Sequence, residues 1–391
     1  MTPNLMNVTQ ICIGRFHHFH AARQFEKYGV LENIWTGYPK FKLQDELGIS
    51  SLKIRSFPWI HLIYLLGLRM GLKNIPKMHN LLARWDHSML DYVVSSTLKK
   101  KGILFALSGS GLISGRKMQK LGGYYICDRG SSHIRFQDEI LREEHRRWGL
   151  PYHGIDPKVI DREEQEYQQA DLITIPSEFS KKTFIQCGVD EKKLRKIPYG
   201  ARLDRFHING HPANTEFIVL WVGAVSIQKG FLDALHAFAK IKFSRKKFIV
   251  IGAIEQQMKV LLNRENLEKV EFKGMVSNME LITYYSKAHV FVLSSLQDGF
   301  GMVIGEALAC GCPVIVSEHT GGPDLIENGK EGYIVPIRSP DIIADRMEQL
   351  FDPHLRDSMS NMALQRVKEI GGWDTYGNDL MAVISEFSSK L

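Results

Sequence analysis

Five cysteines among 391 residues, Cys12, Cys127, Cys187, Cys310 and Cys312, are odd in number and scattered. That argues against a disulfide framework and for reduced thiols in a cytoplasmic protein. Cys310 and Cys312 lack the spacing and partners of a zinc site. Also missing is an apolar run long enough to cross a bilayer, which takes about 20 residues; the longest clean stretch, Trp59 to Leu68, falls well short. The N-terminus has no charged segment leading into an apolar one, so no signal peptide is expected, and Asn7-Val8-Thr9 then means nothing as a glycosylation sequon. Low-complexity tracts and short repeats are absent. A nucleic-acid role would rest on the isoelectric point alone, because no RRM, zinc-finger or helix-turn-helix signature accompanies it.

What is present is enough apolar sequence for two cores. At 44% hydrophobic content the length fits two domains, taking about 150 residues per domain as the prior. Strand candidates alternate with helical segments: NVTQICIG, LENIWTG, GILFALSG, GYYICD, DLITIP and KLRKIP in the first half. A second series begins at Phe217 with IVLWVGA, KFIVIGA, KVEFKG, HVFVLSS, CPVIVSE and GYIVP. Each is nearly continuous in apolar residues, as strands covered on both faces should be. Alternation of this kind predicts parallel, doubly wound sheets. The join falls in 198–216, rich in Gly, Pro and Asn, giving an N-terminal domain over 1–205 and a second over 206–372. Charge divides with them. Residues 1–210 hold 32 Lys plus Arg against 21 Asp plus Glu, a balance of +11, while the rest sums to −4. A basic first half suits an acidic partner such as a phosphate-bearing acceptor, anionic lipid or nucleic acid.

Chemistry concentrates in SSLQDGFGMVIGEALACGCPVIV, residues 294–316, which reads as a strand end, a glycine-bearing loop and a helix start. Gly299 and Gly301 permit positive φ and close backbone approach. The N–H groups of Met302, Val303 and Ile304 would face an anion. Asp298 and Glu306 bracket the turn; in one reading Asp298 meets sugar hydroxyls and Glu306 a ribose diol.

This pattern resembles the retaining glycosyltransferases of family 4, whose second domain carries two Glu seven residues apart around a GFG-type turn. The second falls on Glu306; the first position holds Asp298, one methylene shorter. Further matches follow in order: IPSEFSKKTF, KIPYGARLDRF, WVGAVSIQKGF, FKGMV and TGGPDLIENGKEGYIVP, together covering about the second half of the chain. The resemblance implies an α/β fold of two Rossmann-like doubly wound parallel-sheet domains facing across a cleft (GT-B), with a last helix, 373–391, crossing back to the first domain. It implies that a nucleotide sugar binds between the domains, where such sheets take ligands, and that the acceptor is a glycan or lipid-linked glycan.

The resemblance also assigns residues. Lys229 looks like the diphosphate-binding cation, Gly223 precedes the family's usual Arg, and here Ala224 stands in that place. Arg15 and Arg129 are the substitutes to test. The loop Gly14 to Phe16 would approach the diphosphate by its backbone, or be an ordinary strand-to-helix turn. Gly274, Met275 and Val276 resemble the segment flanking the base, which stays open between uracil, guanine, adenine and thymine; Ser295 precedes the carboxylate turn.

His133 in DRGSSHIRF sits where relatives place a histidine near the donor sugar, with Asp128 and Arg129 beside it. Alternatively Ser131 or Ser132 caps a helix and His133 lies in its first turn. His17, His18 and His20 are not read as a metal cluster, since no carboxylate or Cys pattern accompanies them and the family needs no cofactor or metal.

Residues 57–85 mix Trp, Tyr, Leu and Ile with Arg and Lys. They fit either an interfacial helix on an anionic membrane or a core helix with snorkelling cations. The expectation is a cytoplasmic, metal-independent retaining transferase, peripheral at the inner membrane face, with no nucleic acid partner. Attack and departure would share one sugar face and the leaving phosphate would act as base. A sugar-nucleotide epimerase and a non-catalytic binding module are the alternatives. Capsule, O-antigen or exopolysaccharide assembly is the usual setting of relatives.

Overall fold

The computed structural model describes the chain except residues 1–4, 16, 44–45, 60–61, 64–65, 68–75, 202–204, 214 and 391, and except the side chains of 76–81, 83 and 86. Two wholly parallel sheets result. The first runs β3-β2-β1-β4-β5-β6-β7, with β1 Val8–Cys12, β2 Leu31–Thr36, β3 Ile54–Ser56, β4 Ile103–Leu107, β5 Tyr124–Asp128, β6 Leu172–Ile175 and β7 Leu194–Lys196. The second runs β10-β9-β8-β11-β12-β13, with β8 Phe217–Val222, β9 Lys246–Ile251, β10 Val270–Gly274, β11 Val290–Leu293, β12 Val314–Ser317 and β13 Gly332–Val335. All twelve expected strands form. The thirteenth, β3, escaped sequence reading because its three residues, Ile-Arg-Ser, carry no apolar run; it pairs with β2 at the sheet edge.

Strand order reverses direction between β1 and β4, and between β8 and β11. Crevices open at the carboxyl ends of strands on either side of such points. The central strands explain their composition: Val219, Leu220 and Trp221 of β8, and Val290 to Leu293 of β11, are almost wholly buried between helix layers. Each such side chain contributes about 1.5–3 kcal/mol by leaving water.

The domains meet in several places. The chain passes between them at Ala201 and returns at Gly372, the two pairing as a parallel bridge. Gly200 tolerates no side chain there, since a Cβ would stand 2.3 Å from the Gly372 carbonyl carbon. The helix Trp373–Ser388 then packs on the N-terminal helix His18–Lys27, with Gln24 donating to Asp374 and Met6 N–H to the Ser388 hydroxyl. One apolar cluster runs through this junction, joining Phe19 and Phe105 to Tyr199, Phe300 and Tyr376. On the far side Arg338 pairs with Glu144 at 2.6 Å and Arg147 with Asp233 at 3.0 Å.

In the 57–85 segment Trp59, Ile63, Leu66 and Trp85 are exposed, while Phe57, Leu62 and Leu82 are half-buried and Phe57 packs on the core of the first domain. The core-helix reading therefore does not hold for the four exposed residues. Among the described residues no helix is long and apolar enough to cross a membrane.

Candidate active site

Lys229 follows β8 and Asp298 follows β11, so the two loops face each other across the reversal point of the second sheet. Their side chains form an ion pair. Gly230 makes the loop possible: its φ is +67° and a Cβ would stand 2.1 Å from the Ser294 carbonyl oxygen. No other residue combines that backbone conformation with that proximity. Asp298 is also a turn residue, its Oδ1 accepting from Phe300 N–H at 3.4 Å. Both carboxylate oxygens thus have protein partners, and neither is aimed only at a sugar.

The bend after Asp298 divides into a closed part and an open part. Gly299 does not adopt positive φ; its need is proximity. A Cβ there would stand 2.0 Å from the carbonyl oxygen of Gly130 in the other domain. Its own carbonyl accepts from the Ser177 hydroxyl at 2.6 Å. The Phe300 ring packs edge-on against Tyr199 at 5.3 Å, and its carbonyl accepts from Gly321 N–H. Gly299 and Phe300, expected at the donor, are instead the contact between domains. Gly301, at φ +74°, starts the helix Met302–Ala309. Ile304 N–H, expected to be free, bonds the Gly301 carbonyl at 2.9 Å. Only Met302 and Val303 keep first-turn N–H groups without an acceptor inside the helix, and both are half-buried. An anion there would meet these amides and the positive end of the helix dipole.

Glu306, half-buried about one turn into that helix, accepts from the Tyr285 hydroxyl at 3.3 Å. Gly223 ends β8 with open space where a side chain would be. Gly274 closes β10 in the left-handed region at φ +66°, Met275 is exposed and Val276 packs on the core. All lie at carboxyl ends of the second sheet.

In the first domain Gly14 is buried directly after β1, Arg15 is exposed and bonds Glu46, and Phe16 lies outside the described residues. Arg129 is no free cation. Its Nη1 bonds Glu163 at 2.8 Å and Ser108 at 3.1 Å, its Nη2 bonds Gln137 and its Nε the Ser132 carbonyl. With the guanidinium so occupied it braces its own domain and offers little to a diphosphate.

His133, not Ser131 or Ser132, is the N-cap of the helix Ile134–Arg147, its Nδ1 accepting from Arg135 N–H at 3.2 Å. It is buried against Tyr167 and Phe184. Burial, with the Arg129 and Arg135 charges, brings its pKa down to about 4, so it is neutral near pH 7. The neighbouring serines turn outward across the interface, both donating to Gln297 Oε1.

Sequence reading missed a cluster that tertiary structure assembles: His17, His18 and Asp128 bring three ligand-type atoms within 4.8 Å. The carboxylate partner that the histidine run lacks locally arrives from β5, 111 residues away. Asp128 Oδ2 lies 2.6 Å from His17 Nε2 and 3.1 Å from His18 Nε2, and Thr174 donates to Oδ1 at 2.6 Å. Burial opposes ionisation of Asp128, but the two imidazoles outweigh it and hold the carboxyl below the usual carboxylate range. Gln10 settles the His18 tautomer. Its amide nitrogen touches both the His18 carbonyl oxygen, at 2.8 Å, and His18 Nδ1, at 2.9 Å. Nδ1 is therefore an acceptor and Nε2 carries the proton on the side of Asp128.

Residues 204–366 match the family of glycosyl transferases group 1. The chain is 26% identical over 239 residues to a putative colanic acid biosynthesis glycosyltransferase of Salmonella typhimurium, covering 56% of this chain and 59% of that protein. To the capsular polysaccharide biosynthesis glycosyltransferase CapM of Staphylococcus aureus it is 27% identical over 51% of this chain and 57% of the relative. The alignments thus span a little over half of each relative. Among solved structures, Anabaena HepE in complex with UDP superposes with a TM-score of 0.71 at 14% identity, over 97% of this chain and 100% of that one. Sucrose-phosphate synthase of Thermosynechococcus elongatus gives 0.69 at 18% identity, over 99% and 100%. The fold is GT-B, two parallel-sheet α/β domains facing one another.

Proposed function

We propose that this protein is a glycosyltransferase that moves a sugar from a nucleotide sugar to a carbohydrate or lipid-linked glycan, with retention of anomeric configuration, in the assembly of a surface polysaccharide. The observation that carries the reading is the meeting of Lys229 and Asp298 over the reversal point of the second sheet, beside the open amides of Met302 and Val303. In this reading the cation and the two N–H groups hold the diphosphate, and fixed charges aimed at a leaving group act most strongly where water is displaced. No metal is needed in this reading, because Lys229 and the helix end supply the compensating charge. Glu306 orients the nucleoside and Asp298 the sugar, once the diphosphate takes over the ammonium. The acceptor attacks from the face the diphosphate leaves. The relatives named for colanic acid and capsule synthesis support the setting, and a neighbour holding UDP supports a nucleotide donor.

The exposed side chains of Trp59, Leu66 and Trp85, in the more basic half of the chain, support docking on an anionic leaflet where lipid-linked acceptors reside.

A panel of UDP-, GDP-, ADP- and dTDP-hexoses tests the reading. The cognate donor is expected to raise the melting temperature, by mass action about 2.7 kcal/mol at a hundredfold excess over its dissociation constant, and to release nucleoside diphosphate slowly without acceptor. Binding with no release would indicate a non-catalytic module, and conversion of the sugar with no release an epimerase. A panel that neither binds nor reacts would refute the proposal.

A further inference from the structure

At the amino ends of the strands of the second sheet, on the edge opposite the Lys229 and Asp298 loops, a cavity of about 220 Å³ lies beside the start of the helix Pro353–Ile370. Three phenylalanine rings wall it. Phe217 opens β8 and is buried; Phe351 meets it edge-on at 4.5 Å, and Phe243 lies 4.8 Å from Phe351. Phe243 and Phe351 are half-buried, so this wall reaches the surface.

Arg356 also lines the cavity. It is only 8% exposed, and among the described residues no carboxylate pairs with it. Burial pulls its pKa down, and Asp357 and Asp352 oppose this only from a distance. Asp352 is engaged elsewhere, accepting from His354 N–H at 2.9 Å. A guanidinium taken out of water without a counter-charge is costly. Part of its role is a helix cap: Nη1 donates to the carbonyls of Leu350 at 2.9 Å and Phe351 at 3.2 Å, where the helix Pro340–Gln349 ends. A cap needs no more than that nitrogen. Nε and Nη2 have no protein partner among the described residues and are not sealed from solvent. Their N–H bonds lie side by side on one edge of the guanidinium, the fork that fits the two oxygens of a carboxylate. The other ionisable groups on the cavity do not compete for it. Glu216 pairs with Lys247 at 3.4 Å. His289 accepts from Ile218 N–H at Nδ1, and burial with the Arg356 charge brings its pKa down to about 4, so it is neutral near pH 7.

We infer that this cavity binds a small organic anion with one carboxylate and an apolar body the size of one ring, held by the Nε–Nη2 edge of Arg356 and the three phenylalanines. The volume is below the roughly 300–1,000 Å³ of sites for drug-sized ligands, which sets that scale. A phosphate fits less well, because its second charge would find no further cation and would face Glu216. The six residues of β8 separate the cavity from the loop of Lys229, a distance of about 20 Å at 3.3 Å per residue. Occupancy there is independent of what the donor loops hold.

Calorimetric titration of the full chain with sodium benzoate, and with benzamide and inorganic phosphate at matched ionic strength, tests this in wild type, Arg356→Lys, Phe243→Ala and Lys229→Ala. The Nε–H resonance of Arg356, assigned by its disappearance in Arg356→Lys, follows the same titrations in arginine-labelled protein. Benzoate is expected to move that resonance and to bind wild type at least about tenfold more tightly than benzamide, which lacks the charge. Arg356→Lys keeps the positive charge and loses the fork, and is expected to weaken benzoate by about tenfold or more. Phe243→Ala is expected to weaken it as well, and Lys229→Ala to leave it unchanged. No binding to wild type, or an unmoved resonance, would make Arg356 a helix cap only and overturn the inference. Benzamide or phosphate binding as tightly as benzoate, or binding lost in Lys229→Ala, would overturn it too. If Arg356→Lys does not unfold cooperatively, the benzoate–benzamide difference and the Phe243→Ala titration decide.

Discussion

Replacing Lys229 by Ala is expected to reduce nucleoside diphosphate release by about 10²- to 10³-fold, the cost of removing one preorganised charge from a leaving group. The physical reason is the pairing seen in the structure. Lys229 is held by Asp298 at the mouth of the bend, so the ammonium is positioned before any donor arrives. Truncation leaves the Asp298 carboxylate alone beside the incoming diphosphate, where two negative charges repel. Donor affinity should fall as well as rate. Glu306→Ala should lose donor affinity through a different contact, that with the nucleoside. Full turnover in both variants, measured with the donor the panel identifies, would remove the site from the second domain altogether.

Gly299→Ala is expected to be nearly as damaging although no chemical group is lost. The added methyl would approach the Gly130 carbonyl oxygen to 2.0 Å and the Ser131 Cα to 2.7 Å. Those atoms are backbone and cannot swing aside, so the domains must separate. Separation also breaks the bond from the Ser177 hydroxyl to the Gly299 carbonyl and lifts Phe300 from Tyr199. Each domain keeps its own core, so unfolding should stay cooperative and donor binding to the isolated second-domain surface should persist. Turnover should fall by about 10²-fold, the scale of a misplacement near 1 Å, and small-angle scattering of the donor-saturated variant should give a larger radius of gyration than wild type. An unchanged radius together with unchanged turnover would show that the seam is not part of the working geometry.

Much of this architecture was legible in one dimension. Central strands buried on both faces leave near-continuous apolar runs, and the twelve strand candidates gave twelve strands in two series. Gly301 was readable because left-handed backbone admits almost nothing else. The exceptions have common causes. The Ile-Arg-Ser strand at the edge has only one neighbour and so no apolar signature. His133 looked like a ligand group because histidine beside a strand end suits either role, and only the aromatic walls of Tyr167 and Phe184 show it to be buried in its own domain. Arg129 looked like a phosphate ligand until Glu163 and Gln137 came to meet it. Phe300 and Gly299, both within the bend that most invited a donor, turned out to face protein.

Composition and pattern alone determined that this chain makes two parallel α/β layers with a cation, a glycine bend and a carboxylate placed along the second, because periodicity and backbone permissiveness are local properties. Which side chains meet was decided only in three dimensions. The carboxylate of Asp128 reaches His17 because β1 and β5 end on the same edge of one sheet, and Gly299 meets Gly130 because two sheets close on each other; the spacing in sequence, 111 residues in the first case, holds no record of either encounter.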